Sequence, residues 1–242
     1  MREPATIFGR HGWTIWTAAG ILVAALCFVF LDAWAVVGLR RVPDETRKLF
    51  RPFSDLGRAE WIIALSVMVG VFYWVAQRGA ADLRKGAAYL LGAQSAAYLL
   101  ASVAAGGLSA TLLKYMIGRA RPRGFDTFGP DSFTPFAFDS AHASLPSGHS
   151  ATIFALATAL AFLRPGLKWV FYGLAALIAS TRVVVGAHYP ADVVAGALVA
   201  TVMVYGLTRI LAARKWLFRY DSERRAILRG ARLRTFARSP KP

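Results

Sequence analysis

Long apolar stretches alternate with short polar ones along the whole chain. Because about 20 apolar residues cross the hydrocarbon core of a bilayer, such stretches predict membrane-spanning helices. We place the spans at residues 13–36, 61–77, 87–113, 149–163, 168–188 and 191–213. The sequence therefore predicts an all-α fold, a polytopic membrane helix bundle of about six transmembrane helices.

Composition indicates a single membrane domain across residues 1–242. The chain is 56% hydrophobic, with no internal repeat and no soluble second domain. We expect the catalytic core within about 87–213 and a basic cytoplasmic tail at 214–242. The single cysteine excludes a disulfide framework and a thiolate metal site.

The formal net charge of +16 is explained by the membrane rather than by nucleic acid. Most basic residues of the tail lie just beyond the last span, where they favour the anionic membrane lipids of the cytoplasmic leaflet. No aromatic platform or recognition motif accompanies the charge, so we expect no nucleic-acid partner. The sequence points to no protein partner either.

The placement of Lys and Arg predicts an N-in/C-in orientation. The tail and the two short basic loops near residues 78–85 and 164–168 would then be cytoplasmic. Loop 38–60 departs from this pattern, because it carries six basic residues on the outer side, and its role is open. We expect a multi-pass protein of the bacterial inner (cytoplasmic) membrane, whose outer face is periplasmic.

Four polar blocks interrupt the apolar pattern near the ends of spans. They are Lys114 with Arg121, Ser147-Gly148-His149, Arg182, and His188 with Asp192. In the predicted topology, spans three and five end at the outer face, and spans four and six begin there. The blocks are therefore expected to meet at one face. A cation beside a membrane span is costly and persists where function requires it, so the blocks indicate a functional site.

The basic residues and two of the helix starts suit a bound phosphate. Lys114 and Arg121 are seven residues apart, which places them on one face of a helix, about 10 Å apart along its axis. Ser147 can cap the fourth span, and Gly148 lets the backbone approach a ligand closely. Free N–H groups and the positive helix end then form an anion site, and Pro190 begins the sixth span in a similar way.

The two histidines suit nucleophilic catalysis on phosphorus. A neutral His188 can attack in line when its other ring nitrogen donates to a carboxylate, and Asp192 is placed for this role. His149 could protonate the leaving oxygen as a general acid. The cations of the four blocks would neutralise the phosphoryl oxygens in the transition state, so we expect no metal.

At these residues the chain closely resembles the type 2 phosphatidic acid phosphatase superfamily, which includes bacterial acid phosphatases and vanadium haloperoxidases. The family pattern is K-x6-R-P, then P-S-G-H, then S-R-x5-H-x3-D. The chain matches it at 114–122, 146–149 and 181–192, with Thr181 in place of the serine. Thr181 keeps a hydroxyl and is a weak candidate for the site.

The resemblance implies a metal-independent phosphatase without a cofactor, with a phosphohistidine intermediate on His188. Asp192 would be the partner of that histidine, and His149 would be the acid. The phosphate-binding residues it implies are Lys114, Arg121, Ser147, Gly148 and Arg182.

Membrane-embedded members of this family act on lipid phosphates, so a phosphorylated membrane lipid is the expected partner. Undecaprenyl diphosphate, phosphatidylglycerol phosphate and lipid A 1-phosphate all fit a site at the periplasmic face. Two other functions stay open. The phosphoryl group could pass to a second lipid instead of water, or the protein could be a transporter or flippase for an anionic lipid.

Loop 123–145 is rich in phenylalanine, and we expect it to lie over the site with its rings against lipid or the membrane surface. A packed cap outside the membrane is the alternative. Arg119 and Arg123 flank the first motif, either as further headgroup contacts or as parts of a solvated loop.

Overall fold

The computed structural model describes residues 12–222 and 224–229, and these are mostly helical. Its helices are α1 (Gly12–Leu26), α2 (Asp32–Leu39), α3 (Asp44–Asp55), α4 (Ala59–Arg78), α5 (Leu83–Ile117), α6 (Phe125–Phe128), α7 (Gly148–Leu163), α8 (Lys168–Val184) and α9 (Pro190–Ala213). A π-helical turn at Cys27–Leu31 joins α1 to α2. Two short strands, β1 (Phe218–Tyr220) and β2 (Ala226–Leu228), pair antiparallel.

Within the described ranges, five stretches are long and apolar enough to cross a membrane. They are Gly12–Leu39, Asp44–Arg78, Leu83–Ile117, Pro165–Val184 and Pro190–Ala213. The remaining predicted span is α7, whose 16 residues extend about 24 Å at 1.5 Å per residue. Its neighbours α5, α8 and α9 surround it and bury ten of its residues. The all-α membrane bundle is confirmed, while the number of crossings and the orientation stay predictions.

The connection between α8 and α9 is longer than the sequence pattern indicates. The predicted fifth span reaches residue 188, but α8 ends at Val184. Gly186 then adopts a φ of +69°, a conformation that glycine adopts without the strain a Cβ would bring. Pro190 begins α9. His188 therefore lies in a connector between two helices.

A loop folds across the end of the bundle after α5. Gly118 ends that helix with a φ of +65°, and its carbonyl accepts a hydrogen bond from the Thr134 N–H at 2.7 Å. Further along, the Arg121 N–H donates to the Ala141 carbonyl at 2.8 Å. These bonds hold loop 123–145 against the helix ends. Four of its rings are exposed, namely Phe128, Phe133, Phe136 and Phe138, and their contact with lipid stays a prediction.

Loop 38–60 contains a helix that the apolar pattern did not predict. Helix α3 occupies most of it and packs against α8, and Gly57 just after it approaches His149. A Cβ on Gly57 would lie 3.1 Å from the Cβ of His149. This segment therefore lies at the same end of the bundle as the four polar blocks.

The described part of the tail forms a hairpin of β1 and β2 that packs on the bundle. Leu217 and Phe218 are fully buried, and the Phe218 ring meets the Tyr98 ring edge-on at 4.8 Å. The basic residues in segments 1–11 and 230–242 lie outside the described residues. The contact of the tail with anionic lipids stays a prediction.

Small residues let α5, α7 and α9 approach closely. A Cβ built on Gly106 of α5 would lie 2.9 Å from the Cβ of Ala155 and 3.4 Å from that of Ala200. Membrane helices lack a hydrophobic driving force between them, so close contact between backbones contributes much of their association. This packing sets the positions of the three helices relative to one another, and polar blocks lie at their ends.

We expect Gly106→Ala to lower the free energy of unfolding by about 1–3 kcal/mol, because the added methyl has no space. Gly206→Ala is the matched control. The new Cβ there meets nothing within 4 Å, and the helical position favours alanine by about 0.5–1 kcal/mol. Thermal unfolding in detergent, followed by intrinsic fluorescence, measures both changes. Equal unfolding temperatures for the two variants would contradict this account of the packing.

Candidate active site

The four polar blocks lie together at the end of the bundle that carries loop 123–145. Lys114, in the last turn of α5, interacts electrostatically with Arg121, Asp192 and Arg182. His149, in the first turn of α7, interacts in the same way with Arg182, His188 and Lys114. Helix ends from α5, α7, α8 and α9 therefore contribute to one cluster.

His188 is buried in this cluster and faces Asp192. Its side chain is 2% exposed, and its Nδ1 lies 3.5 Å from Oδ2 of Asp192. This distance is longer than a normal hydrogen bond, so small adjustments would be needed to form one. Burial lowers the pKa of His188 to about 4, against the opposing effect of Asp192. The imidazole is therefore neutral near pH 7, as a nucleophile must be.

Asp192 is held by several donors besides the histidine. Its side chain is fully buried at the start of α9. It accepts hydrogen bonds from Arg119 at 2.8 Å, from the Ser144 hydroxyl at 2.5 Å and from the Tyr189 N–H at 2.9 Å. A carboxylate with this many donors stays ionised and fixed in position.

The expectation that Arg119 contacts a headgroup or solvent is wrong, because its side chain is fully buried. Its guanidinium donates to Asp192 and, at 2.7 Å, to Asp32, and it also donates to the carbonyl of Pro130. The left-handed turn at Gly118 ends α5, so residue 119 begins the loop instead of extending the helix. The side chain consequently enters the bundle.

Asp32 is a member of this network that our sequence reading missed. It is fully buried where α2 begins, and it accepts the Ala191 N–H of α9 at 2.9 Å as well as the Arg119 guanidinium. A signal was present, because a carboxylate inside a predicted apolar span is costly without a partner. Ser144, which donates to Asp192, and Ser54 of α3, which accepts a hydrogen bond from Arg182, carried no such signal.

Two cations of the cluster, Arg121 and Arg182, retain donors that the protein does not use. Among the described residues, the buried Nε atoms of Arg121 and Arg182 have no hydrogen-bond partner. Arg182 does donate from another nitrogen to the Ser54 hydroxyl at 2.5 Å. Burial and, next, the charge of Arg123 lower the pKa of Arg121, as expected for a cation that lacks an anion. A phosphate group would supply that anion.

Ser147 and Gly148 shape the start of α7. Ser147 caps the helix by accepting the Ser150 N–H at 3.5 Å, and its own N–H donates to the Asp192 carbonyl at 2.9 Å. A Cβ on Gly148 would lie 3.5 Å from Nζ of Lys114. The absence of a side chain there keeps the space beside the ammonium group open.

The two remaining candidates differ in position. Thr181 donates its hydroxyl to the Ile178 carbonyl of its own helix at 2.6 Å, so it holds the helix rather than the cluster. Arg123 is exposed and lines a cavity beside His188. Within residues 12–222 and 224–229, no group of three or more His, Cys, Asp or Glu side chains is arranged to hold a metal ion.

Known proteins share both the motif and the fold. The model of the PAP2 superfamily matches residues 95–216. A lipid A 1-phosphatase from Rhizobium etli is 38% identical over 176 residues, which cover 73% of this chain and 75% of the relative. A lipid A 1-phosphatase from Rhizobium johnstonii is 38% identical over 162 residues, 67% of this chain and 66% of that relative.

A solved structure has the same fold. The transmembrane PAP2 type phosphatidylglycerolphosphate phosphatase from Bacillus subtilis aligns with a TM-score of 0.50 and 21% identity, covering 81% of this chain and 96% of that one. At this identity the likeness concerns the fold alone. Together, the motif, the matched segment and the similarity to the two relatives show that this chain belongs to the PAP2 superfamily.

Proposed function

We propose that this lipid phosphatase hydrolyses a phosphate monoester or diphosphate on a membrane lipid headgroup at the periplasmic face, without a metal and through a phosphohistidine on His188. The observation that carries the proposal is a buried imidazole set against a fixed carboxylate and beside two cations, Lys114 and Arg121, with Arg182 next to Lys114. Lipid A 1-phosphate is the favoured substrate, because two relatives carry that activity in their names. Undecaprenyl diphosphate and phosphatidylglycerol phosphate are the other candidates.

In the first step, Nε2 of His188 attacks phosphorus while Nδ1–H points to Asp192. The new P–N bond forms as the bond from phosphorus to the lipid oxygen breaks in line with it. His149, whose protonated form the bound phosphate dianion favours, donates a proton to the leaving oxygen, so the lipid departs as an alcohol from a monoester or as a monophosphate from a diphosphate. Asp192 stabilises the positive charge that develops on the imidazole.

In the second step, water attacks the phosphohistidine. His149, now neutral, accepts the proton from that water as a general base, and His188 is released as the P–N bond breaks. Lys114, Arg121 and Arg182 neutralise the phosphoryl oxygens in both steps, and the unused Nε–H groups of Arg121 and Arg182 act as donors. If a second lipid replaced the water, the same site would act as a phosphotransferase. A transporter or flippase would release no phosphate at all.

We expect His188→Ala to abolish phosphate release from lipid A in EDTA, with a loss of at least about a thousandfold in kcat. His142→Ala is the matched control, since His142 binds Asp139 in the outer loop. Rapid quenching with labelled lipid should trap an acid-labile, base-stable phosphoenzyme in wild type and none in His188→Ala. Normal turnover by the His188 variant would exclude the proposed nucleophile. Labelled product lipid without inorganic phosphate would indicate phosphotransfer.

The neutral state of His188 can be observed directly. Because burial lowers its pKa to about 4, we expect the imidazole to be neutral at pH 5.5, where a free imidazole of pKa about 6.5 is mostly protonated. Since the folded pKa lies below the unfolded one, stability falls as the pH is lowered from about 6.5 to about 4, and the nucleophile is lost when the folded imidazole is protonated near pH 4. Nitrogen-15 NMR of histidine-labelled protein, assigned with His188→Ala, measures this state. A protonated His188 at pH 5.5 would contradict it.

Asp32 and Arg119 are positioning residues in this mechanism, because they act through Asp192. We expect Asp32→Asn to lower kcat about tenfold. The substitution removes a charged hydrogen bond, so the Arg119 guanidinium can shift and move Asp192 with it. KM should change little, since no contact to the lipid is removed. Asp131→Asn, at an exposed position of the outer loop, is the control. If Asp32 had only a structural role, Asp32→Asn would unfold at a lower temperature, and its kcat would be unchanged at temperatures where the variant is folded.

A further inference from the structure

A cavity of about 630 Å³ opens beside His188. Five basic side chains line it, and we call them the basic vestibule: Arg40, Arg47, Lys48, Arg51 and Arg123. Two carboxylates, Asp44 and Asp126, also line it, which leaves a formal excess of three positive charges. This volume lies within the range of small-molecule sites and exceeds what one phosphate group needs.

Two of the five cations lack a carboxylate partner. Within residues 12–222 and 224–229, Arg51 and Arg123 have no carboxylate within 4 Å, whereas Arg40 pairs with Asp126 at 2.6 Å. Arg47 binds the Leu39 carbonyl, but its buried Nε has no partner among the described residues. The vestibule thus holds unused donors and uncompensated charge.

The scissile phosphate does not account for this charge. Lys114 and Arg121 already interact with His188, and Arg182 lies close enough to interact with Lys114. Arg123 adds to the repulsion among them, because its charge acts on both Arg121 and Arg182. Cations gathered in this way are stable when an anion is bound between them. The cations of the vestibule are therefore in excess of those beside the scissile phosphate, and a second anionic group would offset their charge.

General attraction to the membrane surface does not fully explain the basic residues of α3. Leu49 and Phe53 of this helix are exposed, as expected for a helix that lies at a membrane interface. Its cations instead line the cavity with His188. Ser54 ties the same helix to Arg182, so the vestibule and the phosphate site belong to one structure. Six basic residues in loop 38–60 also oppose the expected charge bias of an outer loop.

We propose that the basic vestibule binds a second anionic group of the same lipid headgroup, separated from the phosphate that is cleaved. This inference rests on the proposed function and specifies its substrate class. A glycolipid with phosphates at both ends of a disaccharide, such as lipid A, presents the required pair. One phosphate lies at His188 for cleavage, and the other lies in the vestibule near Arg51 and Arg123.

The test compares two lipids with the same scissile phosphate. Lipid A with both phosphates and lipid A with only the 1-phosphate are presented in neutral detergent micelles, and kcat/KM for release of the 1-phosphate is measured for each. We expect wild type to prefer the doubly phosphorylated lipid about tenfold or more, as charged hydrogen bonds in the vestibule would provide. In the double variant Arg51→Gln with Arg123→Gln, this ratio should fall close to one.

Arg84→Gln is the matched control, because Arg84 is an exposed cation at the opposite end of α5 and should leave the ratio unchanged. A wild-type ratio near one, or a ratio that the double variant retains, would overturn the vestibule while the phosphatase function stands. No phosphate release from either lipid would instead contradict the proposed function, and the vestibule proposal with it. Phosphatidylglycerol phosphate and phosphatidic acid form a second pair. A preference confined to that pair would overturn the assignment to a glycolipid.

Discussion

The bridge that Arg119 forms between Asp32 and Asp192 is the interaction on which the site depends. All three side chains are fully buried in the bundle, so each charge has lost its water and relies on the others. Without the guanidinium, two carboxylates would face each other in an apolar interior, and protonation or local unfolding would follow. The bridge also joins α2, the loop after α5 and α9. It therefore holds in place the Asp192 carboxylate that faces His188 and the helices around it.

The site lies at helix ends for a physical reason. Within a membrane helix every backbone N–H is already bonded, so free donors and positive helix ends occur only where helices begin. Helices α7 and α9 both begin in the cluster, and Lys114 and Arg182 lie in the last turns of α5 and α8. The polar residues of the cluster are thus brought to one level, at one end of the bundle.

The basic residues form two sets with different surroundings. The cations near His188 are half-buried, and partial burial strengthens each electrostatic contact that they make. Most cations of α3 and loop 123–145 that line the cavity are more exposed. The two sets are linked through the contact of Arg182 with Ser54. In the functions that we propose, the first set would serve the transferred group and the second would bind the rest of the headgroup.

The apolar pattern alone determined that the chain is a membrane helix bundle, because the length of a spanning helix is set by bilayer thickness. The spacing of the motifs likewise identified the charged residues of the cluster, because each polar block lies near the end of a predicted span. Only the tertiary structure decided where Arg119 points, that Asp32 is its partner and that α3 lies beside the site. These depend on contacts between residues far apart in the chain, such as the 87 positions between Arg119 and Asp32, and local periodicity carries no record of them.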